Sequence, residues 1–150
     1  MTHSPYVYNR YGARRYVFVS IGKKNIEKVV DFVPLKAKNY MNLGFGDLLP
    51  DGTVDTTANS NNGDILKALA TVVDILKHFT DIYPNAIVFF TGSTKERTKL
   101  YARILRTYYT YFSEEFIIYA VVGTEQENNA ISFDPKTDLE YLAFLVKRIN

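Results

Sequence analysis

The residues best suited to chemistry lie between Ala86 and Arg106, in the stretch AIVFFTGSTKERTKLYARILR. An apolar run breaks at Thr91-Gly92, and a basic, helix-forming segment begins at once. A strand that ends in Gly-Ser-Thr and feeds a helix gathers unpaired backbone N–H groups and the positive end of a helix dipole at one point. That combination is a ready anion site. Ser93 and Thr94 would offer hydroxyls, the N–H groups of Ser93, Thr94 and Lys95 would point at the anion, and Lys95 and Arg97 would add charge. The same residues carry a simpler reading. Ser93-x-x-Glu96 has the spacing of a capping box, in which Glu96 reaches back to the Ser93 N–H and fills the space an anion needs. A single glycine and an early lysine exclude a Walker loop, and the lack of spaced glycines excludes a dinucleotide fingerprint.

The helix that follows carries a second feature. Lys95, Lys99, Arg103 and Arg106 sit at i, i+4, i+8 and i+11 and share one face, while Leu100, Ile104, Tyr108 and Phe112 occupy another. A basic stripe of this kind can track nucleic-acid phosphates, with Tyr101 and Tyr109 stacking on bases, or it can be the solvated face of an amphipathic helix. Arg10, Arg14 and Arg15 form a second basic cluster. The overall charge is only +2, so local distribution has to carry any electrostatic argument.

Other chemistries find less support. Asp47, Asp51, Asp55 and Asp64 could serve a nuclease-type metal site only if two or three of them converged. Asp51 already belongs to the turn signal Pro50-Asp51-Gly52, and Asp64 to a helix start. Their spacing does not fit a calcium-binding EF-hand loop. With no cysteine, a disulfide scaffold, a thiol nucleophile and a thiolate metal site are all excluded. His3 falls in a terminal stretch, and His78 falls late in a helix, where a cation suits the dipole and a structural role follows. Ser93 lacks the flanking glycines of a nucleophile elbow. No metal and no cofactor are expected.

The elements that must position these residues can be read from periodicity. Tyr16–Ser20 and Ile26–Val33 flank Gly22-Lys-Lys-Asn25 and form a hairpin. Tyr40–Leu49, the turn at Pro50-Asp51-Gly52 and a short partner near Val54 form a second. A polar loop covers Asp55–Gly63. The spacing of Leu66, Leu69, Val73 and Leu76, widened by Ile65, Val72 and Phe79, predicts a helix over Asp64–Tyr83, with Asn62 or Asp64 as cap. Strand Ala86–Phe90, a helix from Thr94 to about Phe112 and strand Phe116–Val122 make a strand–helix–strand unit, most economically a parallel crossover. A short extended piece follows at Ile131–Phe133. Thr137-Asp-Leu-Glu140 has capping-box spacing, so residues 138–149 are read as a final helix, with an edge strand as the alternative. The fold class is α+β: a mixed sheet of about five strands, three helices packed mainly on one face, and one crossover. The 150 residues suit one domain, 1–150, with residues 1–12 as a loosely packed arm. The N-terminus lacks the apolar core of a signal peptide, and no apolar run approaches a membrane span, so a cytoplasmic protein without membrane contact is expected. Twelve Tyr and ten Phe make a homo-oligomer one way to use aromatic surface.

Four motifs taken together carry a resemblance: Tyr16-Val-Phe-x-Ser20, Asn42-Leu-Gly-Phe-Gly-Asp47, Asn62-Gly-Asp64 ahead of Ala70-Thr-Val72, and Gly92-Ser-Thr94-x-x-Arg97-Thr-x-Leu-Tyr101. From about Tyr16 to Arg148 the chain resembles a family of small bacterial proteins, mostly from Bacteroidota, with no established function. The resemblance implies an intracellular bacterial protein outside the familiar enzyme classes. It also singles out Asp47, Asn62, Asp64, Gly92, Ser93, Thr94 and Arg97 as candidates to line one surface, since the loops before the two helices would open on one sheet edge if the helices run side by side. Three functions are consistent with all this. The first is a non-enzymatic binding module for nucleic acid or a phosphate-bearing ligand. The second is a toxin-like phosphodiesterase using Asp47, Asp55 or Asp64 with Arg97. The third is an oligomeric adaptor using exposed aromatics such as Tyr109 and Tyr111.

Overall fold

A computed structural model of the chain describes residues 4–56 and 62–149. Residues 57–61, the middle of the polar stretch read as a loop, lie outside the described residues, as does His3. The protein is α+β, with three helices and nine strands among the described residues where about five strands were expected. The chain divides into two compact units, Met1–Pro34 with Asn42–Tyr83 and Leu35–Met41 with Pro84–Asn150.

The first unit is built on the expected hairpin. Strand β1 (Tyr8–Tyr11) precedes β2 (Arg15–Ile21), which pairs antiparallel with β3 (Asn25–Pro34), Arg15 lying opposite Asp31 and Ile21 opposite Asn25. Alternation along β2 sends Tyr16, Phe18 and Ser20 inward, each almost wholly buried. The hairpin tip needs a glycine. A Cβ at Gly22 would stand 1.9 Å from the Asn62 carbonyl oxygen, and that close approach lets Lys23 N–H bond to the same carbonyl at 3.1 Å. Strand β1 pairs with β2, Tyr8 opposite Phe18. It is a further strand, invisible to periodicity because Tyr-Asn-Arg-Tyr exposes three of its four residues. Strand β4 (Tyr40–Leu48) and the short β5 (Val54–Asp55) form the second expected hairpin, Asp47 opposite Asp55. Asp51 does the turn work assigned to it: its carboxylate accepts from Thr53 N and Oγ1 at 3.0 and 2.6 Å, which holds its pKa below the ordinary value.

Helix α1 (Ile65–Ile82) starts and stops where the spacing places it. Its buried face includes Ala68, Leu69, Thr71, Ile75, Leu76 and Phe79, whereas Ile65 and Leu66 are exposed. The stripe is therefore rotated from the one read off the leucines. Small residues set the orientation, because Ala68 and Thr71 allow close approach and Phe79 can then lie flat on Phe32, with ring centroids 3.9 Å apart and planes 3° apart. Full burial of rings such as Tyr16, Phe32 and Phe79 contributes roughly 2–3 kcal/mol each.

The second unit corrects one expectation sharply. Strand β6 (Ile87–Phe90) leads to α2 (Lys95–Thr107), α3 (Tyr109–Ser113) and β7 (Phe116–Gly123), so the strand–helix–strand order holds. The helix expected from Thr94 to Phe112 is interrupted at Tyr108, whose φ and ψ are −108° and 23°. Strand β8 (Asn128–Ser132) pairs antiparallel with β7. Residues 138–149, read as a helix, hold strand β9 (Ala143–Arg148) instead, and it is not an edge. It lies between β6 and β7, with Phe144 opposite both Phe90 and Ala120. Strands β6 and β7 therefore run in the same direction without pairing. Both present backbone groups that need partners, and β9 satisfies the two ladders at once, which outweighs the helical spacing. The supposed capping box is used otherwise. Asp134 opens a turn, accepting from Lys136 N at 2.9 Å and from Thr137 Oγ1 at 2.8 Å, and Thr137 is spent there. Val88, Phe116, Ile118, Ala120, Phe144 and Val146 on the strands, with Ala102, Leu105 and Phe112 on the helices, are the core of this unit.

Candidate anion-binding site

The junction between β6 and α2 is tightly made. Thr91 Oγ1 donates to the Leu142 carbonyl at 2.6 Å, tying the end of β6 to the residue before β9. Gly92 N–H donates to Thr98 Oγ1 at 3.1 Å, and Thr98 Oγ1 donates to the Thr94 carbonyl at 3.2 Å. A Cβ at Gly92 would lie 2.5 Å from Thr98 N, so the glycine is there to let the strand end pass close under the helix. The cap is Thr94 and not Ser93. Thr94 is extended, and its hydroxyl accepts from Arg97 N at 3.2 Å. The box position therefore falls on Arg97 and not on Glu96, and no box forms. Ser93, left outside the helix, accepts from Arg97 Nη1 at 3.1 Å. Both hydroxyls assigned to an anion are thus engaged with Arg97.

The charge lies on the helix face beyond the cap. Lys95, Lys99 and Arg103 are all exposed, and none has an ion-pair or hydrogen-bond partner among the described residues. Successive members are about 6 Å apart along the axis. Arg106 is half-buried and reaches Asp138 at 3.4 Å, which takes it partly out of the stripe. The opposite side of α2, carrying Thr98, Ala102 and Leu105, is buried. Tyr101 and Tyr109, considered as base-stacking platforms, pack inward: Tyr101 meets Phe90 edge-on with centroids 6.0 Å apart, and Tyr109 lies 6.1 Å from Phe133. Burial pushes the Tyr101 phenol up, with the Arg97 charge pulling the other way, so it stays protonated at neutral pH.

Asp47, Asn62 and Asp64 belong to the first unit, and Ser93 to Arg106 to the second. Asn62 and Asp64 meet at Ser20. Ser20 Oγ donates to Asp64 Oδ2 at 2.5 Å and accepts from Asn62 Nδ2 at 2.9 Å. Tyr6 adds a phenol on Asp64 at 2.7 Å. Turned this way, the Asp64 side chain makes no cap bond to α1 although it occupies the N-cap position. Asn62 also accepts from Lys24 N and donates to Lys24 O, both at 2.8 Å, clamping the β2–β3 tip. Asp47 pairs with Lys28. Among the described residues, no group of three His, Asp or Glu side chains is placed to hold a metal ion. His78 Nδ1 lies 2.8 Å from the Tyr16 hydroxyl, a packing role of the kind its position suggests.

Two features went unread in the sequence. Tyr6 and Tyr8, two residues apart and so on the same side of an extended segment, clasp α1 through Asp64 and Asp74, the latter at 2.8 Å. Lys28 is only 7% exposed. Its signal was available: Ile26, Lys28, Val30 and Phe32 follow the period of two along β3, so the lysine occupies a core-facing position.

A model of a protein family described as a family of unknown function, DUF6934, matches residues 2–149 of the chain. No curated protein and no solved structure matches it. Among the described residues, no helix is long and apolar enough to cross a membrane.

Proposed function

The chain belongs to that family of unknown function, which brings no assigned chemistry with it, and we propose from the geometry that the protein is a non-enzymatic module that binds nucleic acid through the outer face of α2. One observation carries the reading: Lys95, Lys99 and Arg103 form an exposed row of cations, unpartnered among the described residues, on a helix whose other side is firmly packed. Three cations spread over about 12 Å suit a run of phosphates better than one small anion. The engagement of both hydroxyls at the cap supports the same preference, because Ser93 and Thr94 already serve Arg97. The interaction is sequence-tolerant in this reading, since phosphate contacts position a nucleic acid without reading its bases. Two carboxylates of the phosphodiesterase alternative are already engaged, Asp47 with Lys28 and Asp64 with Ser20 and Tyr6.

Fluorescence anisotropy of labelled single-stranded RNA and double-stranded DNA, titrated with protein at low and at physiological salt, tests the proposal. Binding that weakens with salt and is lost when Lys95, Lys99 and Arg103 are all changed to alanine supports it. No binding to either probe at low salt overturns it.

A further inference from the structure

We propose that the first unit carries a second, independent ligand site, a cleft at the end of the β1–β2 hairpin that takes a small anion bearing an aromatic ring, of the class of nucleoside monophosphates. The cleft is open, has a volume of about 320 Å³, and is lined by Tyr11, Arg14, Arg15, Asp31 and the Phe32–Pro34 strand end, with Ala13 between. That volume is at the lower end of the range for small-molecule sites.

The hairpin turn fixes the backbone beneath it. Tyr11 and Arg15 are paired across β1 and β2, so Gly12, Ala13 and Arg14 make the loop, and Gly12 supplies the φ of +69° that it requires. The Arg14 carbonyl accepts from Phe32 N at 2.9 Å, and the Ala13 carbonyl accepts from Arg10 Nη2 at 3.1 Å. The turn is thereby anchored on both sides while its side chains stay available.

Charge in the cleft is arranged asymmetrically. Arg15 grips Asp31 with two parallel bonds, Nε to Oδ1 and Nη2 to Oδ2, both 2.8 Å. It also donates to the Gly52 carbonyl at 3.3 Å. The one carboxylate lining the cleft is therefore neutralised in place by a rigid fork. Arg14 is exposed and has no ion-pair or hydrogen-bond partner among the described residues. Its guanidinium is the net charge of the cleft. A planar fork of this kind matches phosphate bidentately. Tyr11, 59% exposed, is an aromatic side chain lining the cleft, and Val33 and Pro34 give an apolar wall. A lone anion would leave that apolar lining uncovered, and an uncharged aromatic would leave Arg14 unused. A ligand with both parts uses the whole cleft.

Isothermal titration calorimetry with adenosine monophosphate, adenosine and inorganic phosphate tests this on the full chain. The nucleotide should bind more tightly than either fragment. Arg14→Ala should weaken it by about tenfold or more, Arg14→Lys should weaken it less, and Tyr11→Ala should weaken it by about tenfold. Both positions are exposed, and circular dichroism should show native folding in each of the three variants. The α2 variant lacking Lys95, Lys99 and Arg103 should bind the nucleotide as the natural chain does, which separates this site from the nucleic-acid reading. No nucleotide binding at millimolar concentration overturns the proposal. So does equal affinity for nucleotide and phosphate, affinity unchanged in a folded Arg14→Ala variant, or loss of binding in the α2 variant.

Discussion

Replacing Lys99 by alanine isolates one cation at the centre of the α2 row, and the size of its effect can be worked from the structure. Three exposed cations, unpartnered among the described residues, face solvent on this helix. If each neutralises one phosphate of a single strand, the logarithm of the binding constant falls with the logarithm of salt with a slope of about −2. Raising salt from 50 to 200 mM then weakens binding about 20-fold, whereas the Lys99→Ala chain, with a slope of about −1.4, loses only about sevenfold over the same interval. The substitution is clean because Lys99 is exposed and alanine favours helix slightly more than lysine, a change of a few tenths of a kcal/mol. The assay is anisotropy of a labelled single-stranded RNA at four salt concentrations for the natural chain and the variant, with thermal melts to confirm equal stability. A slope that Lys99→Ala leaves unchanged would refute the reasoning, because counterion release counts contacts. A natural-chain slope near −5 would refute it too, by requiring cations that α2 does not carry.

Three further outcomes follow from the packing. Lys28→Ala strands the Asp47 carboxylate, 18% exposed on its side chain, and should lower stability to urea by about 3 kcal/mol, while pairing Lys28→Met with Asp47→Leu should recover most of it; equal stability of the single variant and the natural chain would show the pair to be idle. Gly22→Ala drives a Cβ to 1.9 Å from the Asn62 carbonyl and should cost about 3 kcal/mol or prevent folding of the first unit, read as a lowered melting temperature; an unshifted melt would mean the β2–β3 tip yields freely. The Tyr8 phenol is held above its ordinary pKa by burial and by its bond to Asp74. Its protonated form is the one the fold favours, so its contribution is intact below about pH 10 and is lost as pH rises above that. Melting temperature should therefore fall above about pH 10, and Tyr8→Phe should fall less steeply between pH 10 and 12; parallel curves would discount the clasp.

How far the fold could be read depended on whether local signals were in conflict. The β2–β3 hairpin, the β4–β5 hairpin and the α1 boundaries were legible because alternation, turn residues and helical spacing agreed at each. Residues 138–149 show the opposite. Leu139, Leu142, Ala143 and Val146 satisfy a helical period, yet Ala143–Arg148 is a strand, because the backbones of β6 and β7 require a partner that no local pattern records. Tyr8–Tyr11 was missed for a related reason, being held by pairing with β2 and not by any apolar alternation of its own. In the candidate site, the glycine, the helix start and the shared face of Lys95, Lys99, Arg103 and Arg106 were legible, whereas the exposure of the first three and the partial burial of Arg106 against Asp138 were not. The cap at Thr94 was not, since choosing between adjacent hydroxyls turns on the close pass of Gly92 under Thr98.

The central place of β9 has a consequence for a chain made from its N-terminal end. Strand β6 leaves the ribosome ahead of α2, α3, β7 and β8, yet the strand it pairs with in the second unit follows all of them. Until β9 emerges, β6 and β7 each carry an unfilled ladder on apolar backbone, the kind of surface that recruits other chains. A nascent chain must therefore keep this unit open through most of its synthesis and close it in one late insertion. A frameshift or stop ahead of Ala143 would remove more than a terminal strand. It would leave two exposed strand edges and the Val88 and Ile118 faces without their neighbour, so such products should be cleared as misfolded protein and should not persist as shortened binders.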